Sequence, residues 1–143
     1  MSKHFQVTMD ARDPKALGAF WIEVLGYVED SPPDGFTTWP EALTAWGLPP
    51  ERHNDAYAVV DPDGAGPRIF IQKVPEDKVA KNRVHLDVRH TGTPGKAEGK
   101  REMLATEADR LVALGATLVE IRELDMDLFA VLQDPEGNEF CLT

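Results

Sequence analysis

The sequence contains one cysteine, Cys141, so no disulfide can form within the chain and packing alone must hold the fold. A lone cysteine suits a reducing compartment, and the cytoplasm is the expected location. No apolar run approaches the roughly 18 residues of a membrane span. The first six residues, MSKHFQ, lack the hydrophobic stretch of a signal peptide. Basic residues are outnumbered: 15 Lys+Arg stand against 25 Asp+Glu, for a net charge of −10. That balance repels phosphate backbones and anionic lipid heads, which argues against nucleic acid and membranes as partners. The acidic residues are dispersed and do not form a binding tail. There is no G-x-S-x-G, no P-loop, no G-x-G-x-x-G and no Cys-x-x-Cys. Serine-elbow acyl transfer, P-loop nucleotide chemistry and dithiol redox chemistry therefore have no support in the sequence.

What is present reads as an ordinary globular chain. The 143 residues are 42% hydrophobic and 28% charged, enough to bury a core in one domain or two small modules. Two segments have helical logic. Asp13 is placed to cap and Pro14 to begin a helix, and Leu17, Phe20, Trp21, Val24 and Leu25 recur on one face before Gly26. The second helix is expected from about 100 to 114, with a stripe of Leu104, Ala108, Leu111 and Val112 and a stop at Gly115. Strands are expected near 5–9, 27–30, 57–60, 68–74, 83–88, 118–121, 128–132 and 139–142.

The order of these signals repeats. Each half reads strand, helix, glycine stop, strands, Asp-Pro-acidic-Gly turn and strand. The turns are Asp61-Pro62-Asp63-Gly64 and Asp134-Pro135-Glu136-Gly137. Gly26 precedes Asp61 by 35 residues and Gly115 precedes Asp134 by 19. The difference falls on an irregular insertion at 40–55. Residues 91–100, TGTPGKAEGK, read as a mobile polar connection. The joint between halves is expected near 76–82. One βαβββ unit would leave an apolar sheet face bare, and a second unit resolves that burial problem.

Three stretches, FQVTMDARDPKALGAFWIEVLGY, KNRVHLDV and LQDPEGNEFCL, resemble, in order, the vicinal oxygen chelate superfamily. This is the glyoxalase, bleomycin-resistance and dioxygenase fold, and the likeness is strongest to its glyoxalase-like domain subgroup. The resemblance implies an α+β fold of two βαβββ modules forming a U-shaped mixed sheet around a cleft. One glyoxalase-like domain would span 1–143, with modules at 1–78 and 79–143. It implies a small organic ligand as partner and allows a homodimer. Metal-dependent members hold a divalent ion with one residue from the first and last strand of each module. Those positions fall here on Gln6, Gln72 (or Ile71), His85 and Cys141.

Two amides, one imidazole and one thiol make a weak set for a divalent ion, because no carboxylate offsets its charge. A metal is therefore possible but not favoured, and any ion would use Gln6, Gln72, His85 and Cys141. His85 reads either as a histidine bonded across the sheet or as a cleft acid/base. Asp87, two residues on, shares its strand face and either orients His85 or pairs with Arg83 or Lys73. Cys141 reads as a small core residue or as a cleft residue. Gln6 and Gln72 either orient a ligand or satisfy one another. Trp39, Trp46 and Phe70 supply aromatic walls or a small satellite core, while Trp21 belongs to the main core. Residues 81–83 are solvated charges or an anion anchor. His4, His53 and His90 read as surface residues.

Two functions follow from the resemblance. One is a small-molecule-binding protein lacking the standard metal quartet, suited to an aromatic or cationic ligand. The other is a glyoxalase-like lyase or isomerase using His85, with or without a metal.

Overall fold

Asp13 opens the first helix as its sequence dictates. In the computed structural model, which describes residues 1–143, its carboxylate accepts the Ala16 N–H at 3.1 Å. Pro14 begins α1 (Pro14–Leu25), and Gly26, at φ 69°, donates its N–H to Ile22 to end it. The chain divides into two compact units, Met1–Asp77 and Lys78–Thr143.

The first unit contains β1 (Val7–Ala11), α1, β2 (Val28–Glu29), α2 (Trp39–Ala45), a 3-10 turn (Pro50–Arg52), β3 (Ala56–Val60) and β4 (Ile69–Lys73). Its sheet runs β1-β4-β3-β2, with β1 and β4 parallel and the other pairs antiparallel. Period-two alternation sorts the side chains: Ile69 and Ile71 are buried, while Phe70 and Gln72 face the other way. The apolar stripe of α1 is buried through Leu17, Phe20 and Trp21, the last only 1% exposed. Tyr57, opposite Ile71 in the ladder, lies against α1 at Gly18. A Cβ on Gly18 would sit 2.1 Å from the Tyr57 ring, so only glycine allows this approach.

The second unit repeats the plan with β5 (Asp87–Val88), α3 (Lys100–Ala113), β6 (Thr117–Glu123), β7 (Leu128–Gln133) and β8 (Glu139–Leu142). Its order is β5-β8-β7-β6, again with the first and last strands parallel. Leu104, Ala108 and Leu111 of α3 are buried, as are Leu128, Ala130 and Leu132 of β7. The fold is mixed α+β, with two four-stranded mixed sheets of like topology. No helix is long and apolar enough to cross a membrane.

The two Asp-Pro-acidic-Gly turns are built alike. Asp61 accepts backbone N–H groups from Asp63, Ala65 and Gly66, and Asp134 accepts those of Glu136 and Asn138.

Three local expectations need correction. The 40–55 insertion is not irregular, because α2 and the 3-10 turn fill much of it. Val112 leaves the α3 stripe at 44% exposure, since positions 104, 108 and 111 already complete the buried face. The strand expected at 83–88 shrinks to two residues, its N-terminal part held only by Leu86 C=O accepting the Cys141 N–H. The 91–100 connection is anchored at its two ends: His90 and Thr91 donate to Thr143, and Lys100 is only 2% exposed with its Nζ 3.4 Å from Asp127.

Candidate functional site

The open face of the first sheet carries Thr8 and Asp10 on β1 opposite Phe70 and Gln72 on β4. Gln6 precedes β1, and its amide oxygen accepts from Arg68 Nη1 at 3.1 Å. Gln72 donates to Asp10 at 2.8 Å. The two glutamines therefore do not satisfy each other, and they do not converge. Gln6 stands one residue before Val7, the partner of Ile69, whereas Gln72 pairs with Asp10. Four strand residues separate the two levels, about 13 Å at 3.3 Å per residue, too far for both to hold one ion. In the second unit Cys141 pairs with Asp87, two residues after His85. The same step from Gln6 leads to Thr8 and its partner Phe70. Phe70, not Gln72, is thus the counterpart of Cys141, and an aromatic ring cannot ligate a metal.

The ring instead forms part of a cavity of about 260 Å³ within the first unit. Trp39, Phe70 and Tyr57 line it, with Leu43, Pro40 and Pro50 adding apolar surface. A hydrogen-bonded chain fixes these walls. The Trp39 indole N–H donates to the Asp30 carbonyl at 2.6 Å. Asp30's carboxylate holds Arg68 Nε at 2.8 Å, and the Arg68 guanidinium lies 5.4 Å from the Phe70 ring centre. Trp46 is 55% exposed and lies outside the cavity lining. It packs edge-on against Trp39 and Phe36, so it buttresses the wall. Burial pushes the Tyr57 hydroxyl's pKa up, and the Glu29 carboxylate, which accepts its hydrogen bond, pushes it further.

His53 also lines the cavity and is a correction to its reading as a surface residue. Its Nε2 lies 3.0 Å from the Leu48 carbonyl, so that nitrogen donates there. Neither His53 nor the cavity walls Tyr57 and Arg68 had a sequence motif. The Thr38-x-x-Glu41 capping pattern ahead of 39–45 is the signal that would have turned the insertion into a helix.

The second unit places His85, Asp87 and Cys141 together. One ligand-type atom from each lies within 4.8 Å of the others, and His85 Nδ1 is 3.5 Å from Asp87 Oδ1. Asp87 therefore pairs with His85, not with Arg83 or Lys73. Cys141 is only 8% exposed. Burial raises its pKa, and the Asp87 carboxylate, which accepts its S–H, raises it again. Nitrogen, oxygen and sulfur at this spacing suit a borderline ion such as Zn²⁺, which would deprotonate the thiol and act as a Lewis acid.

A model of the glyoxalase-like domain family matches residues 6–143. The chain belongs to that family. No curated protein matches the glyoxalase-like chain in sequence. Among solved structures it is similar to a glyoxalase/bleomycin resistance protein/dioxygenase family enzyme from Burkholderia phytofirmans PsJN. That pair shares 21% identity, covers 96% of this chain and 94% of the other, and has a TM-score of 0.60. It is also similar to hypothetical protein SA1046 from S. aureus, at 11% identity over 99% and 96% of the two chains, with a TM-score of 0.61. A third is a point mutant of the fosfomycin resistance protein FosX from Listeria monocytogenes, in complex with Mn(II) and 1S,2S-dihydroxypropylphosphonic acid. Here the identity is 17%, the coverage 99% and 91%, and the TM-score 0.60. These likenesses establish the fold of the vicinal oxygen chelate superfamily for the glyoxalase-like chain.

Proposed function

We propose that this glyoxalase-like protein binds a small aromatic molecule in the cavity of its first unit, without the four-residue metal set. The observation that carries the reading is the aromatic wall of Trp39, Tyr57 and Phe70 around about 260 Å³. Flat apolar surfaces held in place by hydrogen bonds favour a ring-bearing ligand, because little side-chain freedom is lost on binding. The separation of Gln6 from Gln72 and the placing of Phe70 at a ligand position leave Gln6 as the one donor of the first unit at those positions. The FosX neighbour was solved with a small phosphonate, so the fold is compatible with small organic guests.

The test is a thermal-shift screen of small aromatic compounds, followed by titration calorimetry. At least one compound is expected to bind in the micromolar range, and Trp39→Ala should weaken it about 10–100-fold. Failure of the whole panel, or equal affinity in Trp39→Ala, would overturn the reading.

A second reading rests on the cluster of His85, Asp87 and Cys141. His85 is the acid/base of a lyase or isomerase and Asp87 fixes its ring, with or without an ion on the three side chains. Elemental analysis after purification without an affinity tag tests it. Stoichiometric zinc that disappears in His85→Ala supports the metal form. Absence of metal, together with unchanged pH-dependent turnover of trial aldehydes and oxo-acids in His85→Ala, removes this reading.

A further inference from the structure

Side chains from both faces of one sheet border the cavity. Glu29 and Tyr57, paired with Val59 and Ile71, stand on the face that α1 covers, whereas Phe70 points from the opposite face. A space that meets both faces lies at the edge of the sheet. Here that edge is β3, because β2 covers only its last two residues and Ala56, Tyr57 and Ala58 all line the cavity. The sequence explains why β2 stops. Its last contact is the Asp30 N–H, which donates to Ala58 at 2.9 Å, and in this register Pro32 would stand opposite Ala56. Proline has no N–H to give a ladder, and Pro33 follows it. Backbone groups alternate along β3. The Lys73 N–H donates to Asp55 at 2.8 Å, so residues 55, 57 and 59 bond towards β4 and 56 and 58 face the other side. Asp30 takes the Ala58 carbonyl, which leaves the N–H and C=O of the exposed Ala56 side by side on the open edge. The edge is one residue long, since the next position, Asn54, already binds Asp13 and Lys15. That is too short for an added peptide strand, whose affinity comes from several main-chain bonds.

Building on the binding reading above, we infer that the ligand is a planar aromatic lactam or a heterocycle of that type, whose adjacent N–H and acceptor atom pair with the Ala56 C=O and N–H at the open edge of β3. A single residue of an edge strand offers one acceptor and one donor on the same side, and a ring lactam presents the complementary pair on one side of a rigid plane. The ligand continues the sheet where Pro32 ends β2. Aromatic side chains of both faces, Tyr57 and Phe70, border the same space, which suits a flat guest. Both polar atoms of the lactam exchange water for a backbone partner. A ring without them covers the Ala56 N–H and C=O and leaves them unpaired, which is the basis for discrimination.

Three neutral bicyclic probes of similar size separate the contributions by calorimetry: indolin-2-one carries donor and acceptor side by side, 2-methylindole the donor alone, and 1-methylindolin-2-one the acceptor alone. Indolin-2-one is expected to bind at least about fivefold tighter than either. Ala56→Pro removes the edge N–H and spares the ladder to β4, because that N–H points away from it. In this variant the advantage of indolin-2-one over 2-methylindole should vanish, while its advantage over 1-methylindolin-2-one persists. Each comparison is a ratio within one variant, so a general loss of stability cannot imitate it. NMR of the parent protein with isotope-labelled alanine provides a second readout that does not depend on the folding of Ala56→Pro. Indolin-2-one should move the Ala56 amide proton downfield and slow its exchange with solvent, and 2-methylindole should not. If either single-function probe matches indolin-2-one, if its advantage over 2-methylindole survives in folded Ala56→Pro, or if the Ala56 amide does not respond, the edge assignment falls while aromatic binding stands. It falls alone, too, if none of the three binds but other aromatic compounds do. If the whole aromatic panel fails with them, both readings fall together.

Discussion

Cys141 occupies a position where a reactive thiol is easily suspected, but its surroundings make it inert. Burial raises its pKa first, and the neighbouring Asp87 carboxylate raises it further by charge and by accepting the S–H. Because the thiolate is the nucleophile, a raised pKa slows alkylation at any pH below it. Iodoacetamide labelling of the native protein at pH 8 is therefore expected to run at least tenfold slower than that of the unfolded chain. Asp87→Asn removes the negative charge and lowers the thiol pKa, so labelling should accelerate several-fold while the fold persists. An equal or slower rate in the variant would mean that access alone protects the thiol. Asp87 also contacts His85, so a change in the His85 ring chemical shifts in the same variant, followed by NMR at fixed pH, would report on that pair separately.

Among the elements, α2 matters most to the cavity, because Trp39 is its first residue and Leu43 lies one turn on. Seven residues are too few for a helix to persist on propensity alone, so caps and packing decide it. Thr38 accepts the Glu41 N–H at 3.3 Å, while the Glu41 carboxylate accepts the Thr37 N–H at 3.0 Å. Thr38→Ala should cost about 1 kcal/mol, a fall in melting temperature of roughly 4–8 °C for a unit of this size. Aromatic ligand affinity should fall with it, since Trp39 loses its anchor. A variant with unchanged melting and unchanged affinity would show that packing against Trp46 suffices. The sequence made α1 legible because its cap, its first proline, its apolar stripe and its stop all agreed. It hid α2 because two tryptophans and a run of prolines look like a loop unless the Thr38-to-Glu41 spacing is given weight. Strand registers were beyond its reach: the residues of β4 alternate correctly, yet only the ladder reveals that Phe70, and not Gln72, is level with Thr8.

For the whole molecule, the doubled βαβββ plan was readable because two matching turns and two glycine stops came in the same order. Contacts that depend on residues distant in sequence were not, and Glu139 is the clearest case. It lies at the start of β8 and reaches back to the beginning of the second unit, accepting the Asn82 N–H at 2.9 Å and pairing with Lys78 at 3.0 Å. Burial alone would raise its carboxyl pKa, but the Asn82 N–H and the Lys78 ammonium outweigh that and hold it at about 2, against 4.5 when free. A folded-state pKa below the unfolded one means that the unfolded chain binds the extra proton. The stabilisation is thus complete above about 4.5 and is lost as pH falls towards 2. Asp13, Asp61, Glu107 and Glu123 are also held below their ordinary values by hydrogen bonds, so they act in the same direction. Chemical denaturation at pH 7, 4 and 3 should accordingly show stability falling across that window. Glu139→Gln should lower stability at pH 7 by about 1–3 kcal/mol, the usual scale for a hydrogen bond to a charged group, and should flatten the decline between pH 4.5 and 2. A variant whose pH profile runs parallel to that of the parent would mean that the acid sensitivity originates elsewhere among the carboxylates.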